Sequence, residues 1–163
     1  MTNNAMAADH QQERLAPNWV VGFTEGEGCF HVSINRQPNM STGWQVLPEF
    51  RVVQHKRNKA TLKELQNFFG AGDVVVNHGS RLELRIRKLS DLRKVVAFFE
   101  THALHTTKKT DFRIFAQIIT MMERREHLTH EGLAKIAKLA WKMNRKVKPA
   151  YLESSETIRR KPN

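Results

Sequence analysis

Hydrophobic and polar positions follow two different periods along the chain. Residues 18–27 form an apolar stretch read as a helix, which Pro17 or Asn18 starts and Gly28 stops. Residues 29–36 then alternate. Cys29, His31, Ser33 and Asn35 fall on one side, and Phe30, Val32, Ile34 and Arg36 on the other. That period of two predicts a half-buried strand with a polar outer face. A Pro-Asn-Met-Ser-Thr-Gly loop at 38–43 leads to a second strand over 44–54, with Gln45, Glu49 and Arg51 outward and Val46, Phe50 and Val52 inward. Residues 59–69 have helical spacing (Leu62, Leu65, Phe68, Phe69), and Gly70 ends them. The pattern repeats with a strand at 73–77, a tight turn at 78–80 and a strand at 81–87. Here Leu82, Leu84 and Ile86 face in, and Arg81, Glu83, Arg85 and Arg87 face out. Three helices follow: 91–101 with Ser90 as cap, 107–126, and 129–143. Two hairpins with one polar face each predict an α+β fold, a four-stranded antiparallel sheet backed by helices.

The stretch Val20-Val21-Gly22-Phe23-Thr24-Glu25-Gly26-Glu27-Gly28-Cys29-Phe30 is the most informative. Gly22 and Gly26 lie on one helix face and leave almost no side chain there. Each glycine weakens a helix by roughly 1 kcal/mol relative to alanine, so close approach of another backbone must compensate. If that backbone is the same helix of a second copy, the two Glu27 carboxylates meet near a twofold axis. Two such acids repel unless cations sit between them. The face expected to meet the second copy comprises Val21, Gly22, Glu25 and Gly26.

The segment resembles the LAGLIDADG motif of homing endonucleases. Later landmarks resemble that family in its order: Phe50-Arg51-Val52-Val53-Gln54, Phe68-Phe69-Gly70, Lys108-Lys109-Thr110-Asp111-Phe112, and Leu128-Thr129-His130-Glu131-Gly132-Leu133. The resemblance covers residues 15–143. It implies the αββαββα LAGLIDADG fold, whose concave sheet forms a DNA-binding saddle in the major groove. It implies site-specific double-strand cleavage with short 3′ overhangs by an intron-encoded enzyme. The motif occurs once, which in this family implies a homodimer. A twofold enzyme matches a long, pseudo-palindromic target.

The resemblance assigns the metal role to the second acid of the motif, Glu27. Phosphodiester hydrolysis needs an activated water and a stabilised leaving oxygen, which divalent cations supply. Mg²⁺ takes oxygen ligands and keeps several waters, so one carboxylate per copy plus DNA phosphate suffices. The Gly26 carbonyl at the helix end is a further candidate ligand, and Mn²⁺ or Ca²⁺ can substitute in binding. Here the chain departs from the resembled family, which mostly carries Asp at the Glu27 position, one methylene shorter. The resemblance makes Gln54 the residue that positions the attacking water. It makes Lys108, with Lys109 as the alternative, the residue that activates that water or offsets phosphorane charge. A third basic residue falls near Arg57, Asn58 and Lys59 without a firm assignment. Candidate base readers are His31, Ser33, Asn35, Gln37, Gln45, Glu49, Arg51, Asn77, Arg81, Glu83 and Arg85.

Bulk properties agree. Lys plus Arg number 27 against 16 Asp plus Glu, for a net charge of +11 and a pI near 10.2. That excess suits a polyanion. One cysteine, Cys29, excludes an intrachain disulfide or Cys-rich zinc site. No apolar run approaches the ~18 residues of a membrane span, and the first 16 residues lack a signal-peptide core. The expected protein is soluble and intracellular, in cytoplasm or organelle. Residues 1–14 read as a flexible arm and 144–163 as a flexible basic tail. A second reading keeps the fold but loses cleavage: an RNA-splicing maturase or a non-cleaving DNA-binding regulator.

Overall fold

The computed structural model describes residues 14–143 and 149–152. The expected arm, apart from Arg14, and most of the expected tail lie outside those residues. The first helix, α1 (Pro17–Glu27), runs without a linker into β1 (Gly28–Arg36). β2 (Trp44–His55) returns, a 3-10 turn (Lys56–Asn58) follows, and α2 (Lys59–Phe69) ends at Gly70 with φ +60°. β3 (Asp73–His78) and β4 (Arg81–Ile86) form the second hairpin around Gly79. α3 (Leu89–Thr101), α4 (Lys108–Glu123), a second 3-10 turn (Glu126–Leu128) and α5 (His130–Trp141) complete the described order. The four strands make one antiparallel sheet in the order β1-β2-β4-β3.

One sheet face is covered by the helices. Phe30 and Phe50 from the sheet meet Phe99 of α3 and Phe115 of α4, all at most 2% exposed. Phe30 packs at 5.2–5.6 Å from Phe50, Phe99, Phe112 and Phe115, mostly tilted or edge-on, the arrangements aromatic rings prefer. The inward positions Val32, Ile34, Val46, Val52, Leu84 and Ile86 are buried as their period predicts. This packing leaves the alternate strand positions on the opposite face.

Three details differ from the pattern-based expectation. α3 begins two residues earlier, with Lys88 rather than Ser90 at its cap, because Leu89 packs against the core. The predicted 107–126 helix ends at Glu123, and Arg125 takes φ +61°. The chain must turn there so that α5 can dock, and a Cβ on Gly132 would lie 2.0 Å from the Glu126 carbonyl oxygen. Part of the expected tail is packed. Tyr151 stands edge-on to Trp44 at 5.5 Å, and Leu152 is buried. No helix among the described residues is long and apolar enough to cross a membrane.

Candidate active site and nucleic-acid interface

The α1–β1 joint gathers the predicted chemistry. Gly28 carries no side chain because none fits: a Cβ there would stand 2.6 Å from Thr24 Cγ2. This tight joint places the exposed Glu27 at the end of α1, where the Gly28 N–H closes the last turn on the Thr24 carbonyl. The carbonyls of Glu25, Gly26 and Glu27 come after that last helical bond and have no partner within the helix. Lys108 arrives from the start of α4, and its Nζ donates to the Gly28 carbonyl oxygen. Lys109 turns instead into the cleft between α3 and α4, beside Phe99, Leu104 and Phe112. Geometry therefore separates the two lysines.

Glu25 anchors the backbone that leads into this lysine. Its carboxylate accepts from the His105 and Thr106 N–H groups and from the Thr106 hydroxyl. Thr106 Oγ1 in turn accepts from the Lys108 N–H at 3.2 Å. Partial burial opposes the Glu25 charge, but the bonds from Thr106 and His105 outweigh it and hold the carboxyl below its usual range. Glu25 is thus turned toward its own 105–106 loop, and Val21 is buried in its own core at 8% exposure. Of the four residues expected on the pairing face, Gly22 and Gly26 are the open ones. Outside the helix's own backbone, no atom lies within 4 Å of a Cβ built on either. Trp19, 42% exposed, stacks on Phe23 at 4.7 Å on the same face. These aromatics were missed in the sequence, although positions 19, 22, 23 and 26 have helical i, i+3, i+4, i+7 spacing.

Gln54 lies two residues beyond Val52, whose β1 partner is Gly28, so it extends past the end of β1 on the same side of the joint. Asn58 Nδ2 donates to Gln54 Oε1 at 2.8 Å, which fixes the amide and turns its Nε2 end away from Asn58. Asn58 is thus a support for Gln54, not a charge.

His31, Ser33, Asn35, Gln45, Glu49, Arg51, Glu83 and Arg85 alternate with buried core positions along their strands and share the face away from the helices. Arg81 and Asn77 stand exposed toward the β3–β4 turn, and Gln37 follows β1, bonded through its N–H to the Gly43 carbonyl. Two residues depart from a reading role: Glu49 and Glu83 are 6% and 0% exposed, covered by the arginines they pair with. Burial and the neighbouring Arg51 lower the His31 pKa, against a smaller opposing pull from Glu49. Its imidazole is neutral at neutral pH and carries one donor and one acceptor.

Could these residues hold a divalent cation? Among the described residues no group of three His, Cys, Asp or Glu side chains converges. One exposed carboxylate beside helix-end carbonyls fits a hard, oxygen-preferring ion only if a second copy or a phosphate completes the shell.

Residues 20–119 match the model of the LAGLIDADG endonuclease family. Among solved structures, the chain is similar to a homing endonuclease, I-TnaI, at 55% identity and a TM-score of 0.84, covering 88% of this chain and 98% of that one. It is also similar to I-SmaMI bound to uncleaved DNA target in the presence of calcium ions, at 32% identity and a TM-score of 0.83, covering 88% of this chain and 49% of that one. Among curated proteins, the probable intron-encoded endonuclease 2 of Neurospora crassa is 31% identical over 144 residues, 84% of this chain. The chain spans about a third of that protein's length, 32%.

Proposed function

Because the chain belongs to the LAGLIDADG endonuclease family, we propose that it is an intron-encoded homing endonuclease that cuts both strands of a long DNA site. The observation that carries this reading is the Lys108 Nζ seated on the Gly28 carbonyl, one residue from the exposed Glu27. The proposed catalytic lysine thus reaches the same joint as the exposed acid, at the end of a helix whose glycine face is open. Two copies pair through that face, with Gly22 and Gly26 admitting the partner's backbone and Trp19 and Phe23 flanking it. The alignment supports this pairing: the chain matches nearly all of I-TnaI but half of the DNA-bound I-SmaMI chain. The target is accordingly pseudo-palindromic.

Within the site, Glu27 and the Gly26 carbonyl of each copy would hold a divalent cation, expected to be Mg²⁺. When bound, that ion supplies an acidified water and neutralises charge at phosphorus. Lys108 faces the negative charge that grows in the transition state. Gln54, fixed by Asn58, orients the water. Glu25 and Thr106 fix the backbone at the start of α4 from which Lys108 reaches the joint. Cleavage is expected to leave 3′ overhangs.

The test uses the full chain, a large randomised-site DNA library, and Mg²⁺ or EDTA, with sequencing of the ends. Discrete Mg²⁺-dependent breaks at one near-palindromic site are expected. Glu27→Gln should lower cleavage by at least a thousandfold, about 4 kcal/mol in the barrier, while selective binding survives. Retained cutting by that variant would sink the metal assignment. Selective capture by the unaltered chain without any cleavage would shift the reading to a maturase or regulator.

A further inference from the structure

The sheet face away from the helices carries a row of charges that the α1–β1 joint does not use. Register sets Arg51 of β2 directly opposite Arg85 of β4. Like charges in directly opposed positions destabilise a sheet. Two acids answer them from the neighbouring rungs. Glu49 Oε1 lies 3.2 Å from Arg51 Nε, and Glu49 Oε2 accepts from Arg87 Nε at 2.8 Å. Glu83 pairs with Arg85 and accepts from Asn77 Nδ2 at 2.7 Å.

The layering decides what these acids can do. The Glu49 and Glu83 side chains are 8% and 0% exposed, whereas those of Arg51, Arg85 and Arg87 are 31%, 30% and 53% exposed. The carboxylates lie beneath the guanidinium groups. A base edge cannot reach Glu83, so an acceptor role toward cytosine is closed to it. Sheet stability alone does not require the acids either. A buried ion pair is often no better than apolar residues of similar size, and Leu47, Val53 and Val75 show that apolar residues occupy this face. What the acids do provide is orientation. Arg87 Nε is hydrogen-bonded to Glu49, and ion pairing with Glu49 and Glu83 limits the rotamers of Arg51 and Arg85.

We propose that Glu49 and Glu83 are positioning residues that pre-aim Arg51, Arg85 and Arg87 as guanine readers at the centre of the DNA-facing surface. Arg matches the O6 and N7 acceptors of guanine in the major groove as a bidentate donor. This proposal rests on the DNA-cutting reading above.

The test is a base-by-base preference profile from library selection, for the unaltered chain, Glu83→Gln, Glu49→Gln and Arg85→Lys, each checked for folding by thermal unfolding. Glu83→Gln keeps shape and an acceptor for Asn77 but removes the charge that orders Arg85. Guanine preference at the positions Arg85 reads should fall about tenfold, while affinity for unrelated DNA rises because one negative charge is gone. Arg85→Lys should lose the same preference at the same positions. Glu49→Gln should affect a different set, those read by Arg51 and Arg87. A purely structural role would lower stability and leave the profile unmoved. A folded Glu83→Gln with an unaltered profile overturns the proposal. If Glu83→Gln does not fold, an Arg85→Lys profile with guanine preference intact overturns it instead. If the unaltered chain selects no sequence at all, the DNA-cutting reading falls and takes the proposal with it.

Discussion

Gly28 and Gly132 each close a joint that a larger residue would force open. At the front joint, α1 turns directly into β1, and a Cβ on Gly28 would stand 2.6 Å from Thr24 Cγ2 and 3.0 Å from the Thr24 carbonyl oxygen. At the back joint, α5 docks on the Glu126–Leu128 turn, and a Cβ on Gly132 would stand 2.0 Å from the Glu126 carbonyl oxygen. Sterically the two are alike. Chemically they are not. The back joint closes on itself: the Thr129 hydroxyl donates to the Glu126 carbonyl at 3.0 Å and accepts from the Gly132 N–H at 3.1 Å. The front joint leaves Glu27 exposed and draws Lys108 onto Gly28 and Thr106 onto Glu25 from about 80 residues away in sequence. A glycine beside acids therefore marks a joint. Charged groups that converge from distant elements mark a site.

Alanine at the two glycines separates these roles. At Gly132 the obstacle is backbone, which cannot yield, so Gly132→Ala should lower stability by about 3 kcal/mol. Chemical denaturation would read this as a lower midpoint, and cleavage per folded molecule should survive at low temperature. At Gly28 the nearest obstacle is a methyl group. Gly28→Ala should cost about 1 kcal/mol of stability yet reduce cleavage more than tenfold, because it shifts the carbonyl on which Lys108 sits. Adding Thr24→Ser, which removes that methyl but not the Thr24 carbonyl at 3.0 Å, should return part of the stability. If both alanine variants lose activity only in proportion to stability, the distinction between the joints is wrong.

A finer cut removes the lysine's support and leaves the backbone alone. Glu25→Gln keeps an acceptor for the 105–106 loop but gives up the charge-assisted bonds. Single-turnover cleavage should fall about tenfold, equivalent to roughly 1.4 kcal/mol in the barrier, with DNA affinity retained. An unchanged rate would mean that Lys108 is held by Gly28 alone.

The strands, both hairpins and the inward residues were legible because a period of two carries its own burial pattern. The front joint was legible because Gly26-Glu27-Gly28 interrupts a helix just before that period begins. The back joint was less so. Nothing local in 107–126 says that the helix stops at Glu123, since the stop is imposed by docking of α5 on Gly132. Outward-facing acids were also misjudged in depth. Alternation assigns Glu49 and Glu83 to the outer face, but it cannot tell that neighbouring arginines will fold over them. The open face of α1 was half legible: spacing found Gly22 and Gly26, while Val21 and Glu25 turned inward toward partners in their own chain.

Acid should open the two joints in sequence, the back one first. His127 sits in the Glu126–Leu128 turn. Burial and the adjacent Arg125 hold its imidazole below the ordinary 6.5, and its buried Nδ1 has no hydrogen-bond partner. The folded chain thus binds this proton less readily than the unfolded chain. The stability it confers is full above pH 6.5 and is lost as pH falls from there toward the lowered folded value. Glu25 has the same sign in a lower window: its contribution is full above its ordinary 4.5 and is lost as pH falls through its lowered folded value. Thermal unfolding between pH 7.5 and 5.5 should show a falling Tm. His31, depressed for related reasons, adds to that slope, so the His127 share is read by difference. His127→Gln should make the slope shallower in this window and leave the region below pH 4.5 untouched, whereas Glu25→Gln should do the reverse. If His127→Gln leaves the neutral-to-mild-acid slope as steep as before, the back joint does not titrate, and its only constraint is the steric one at Gly132.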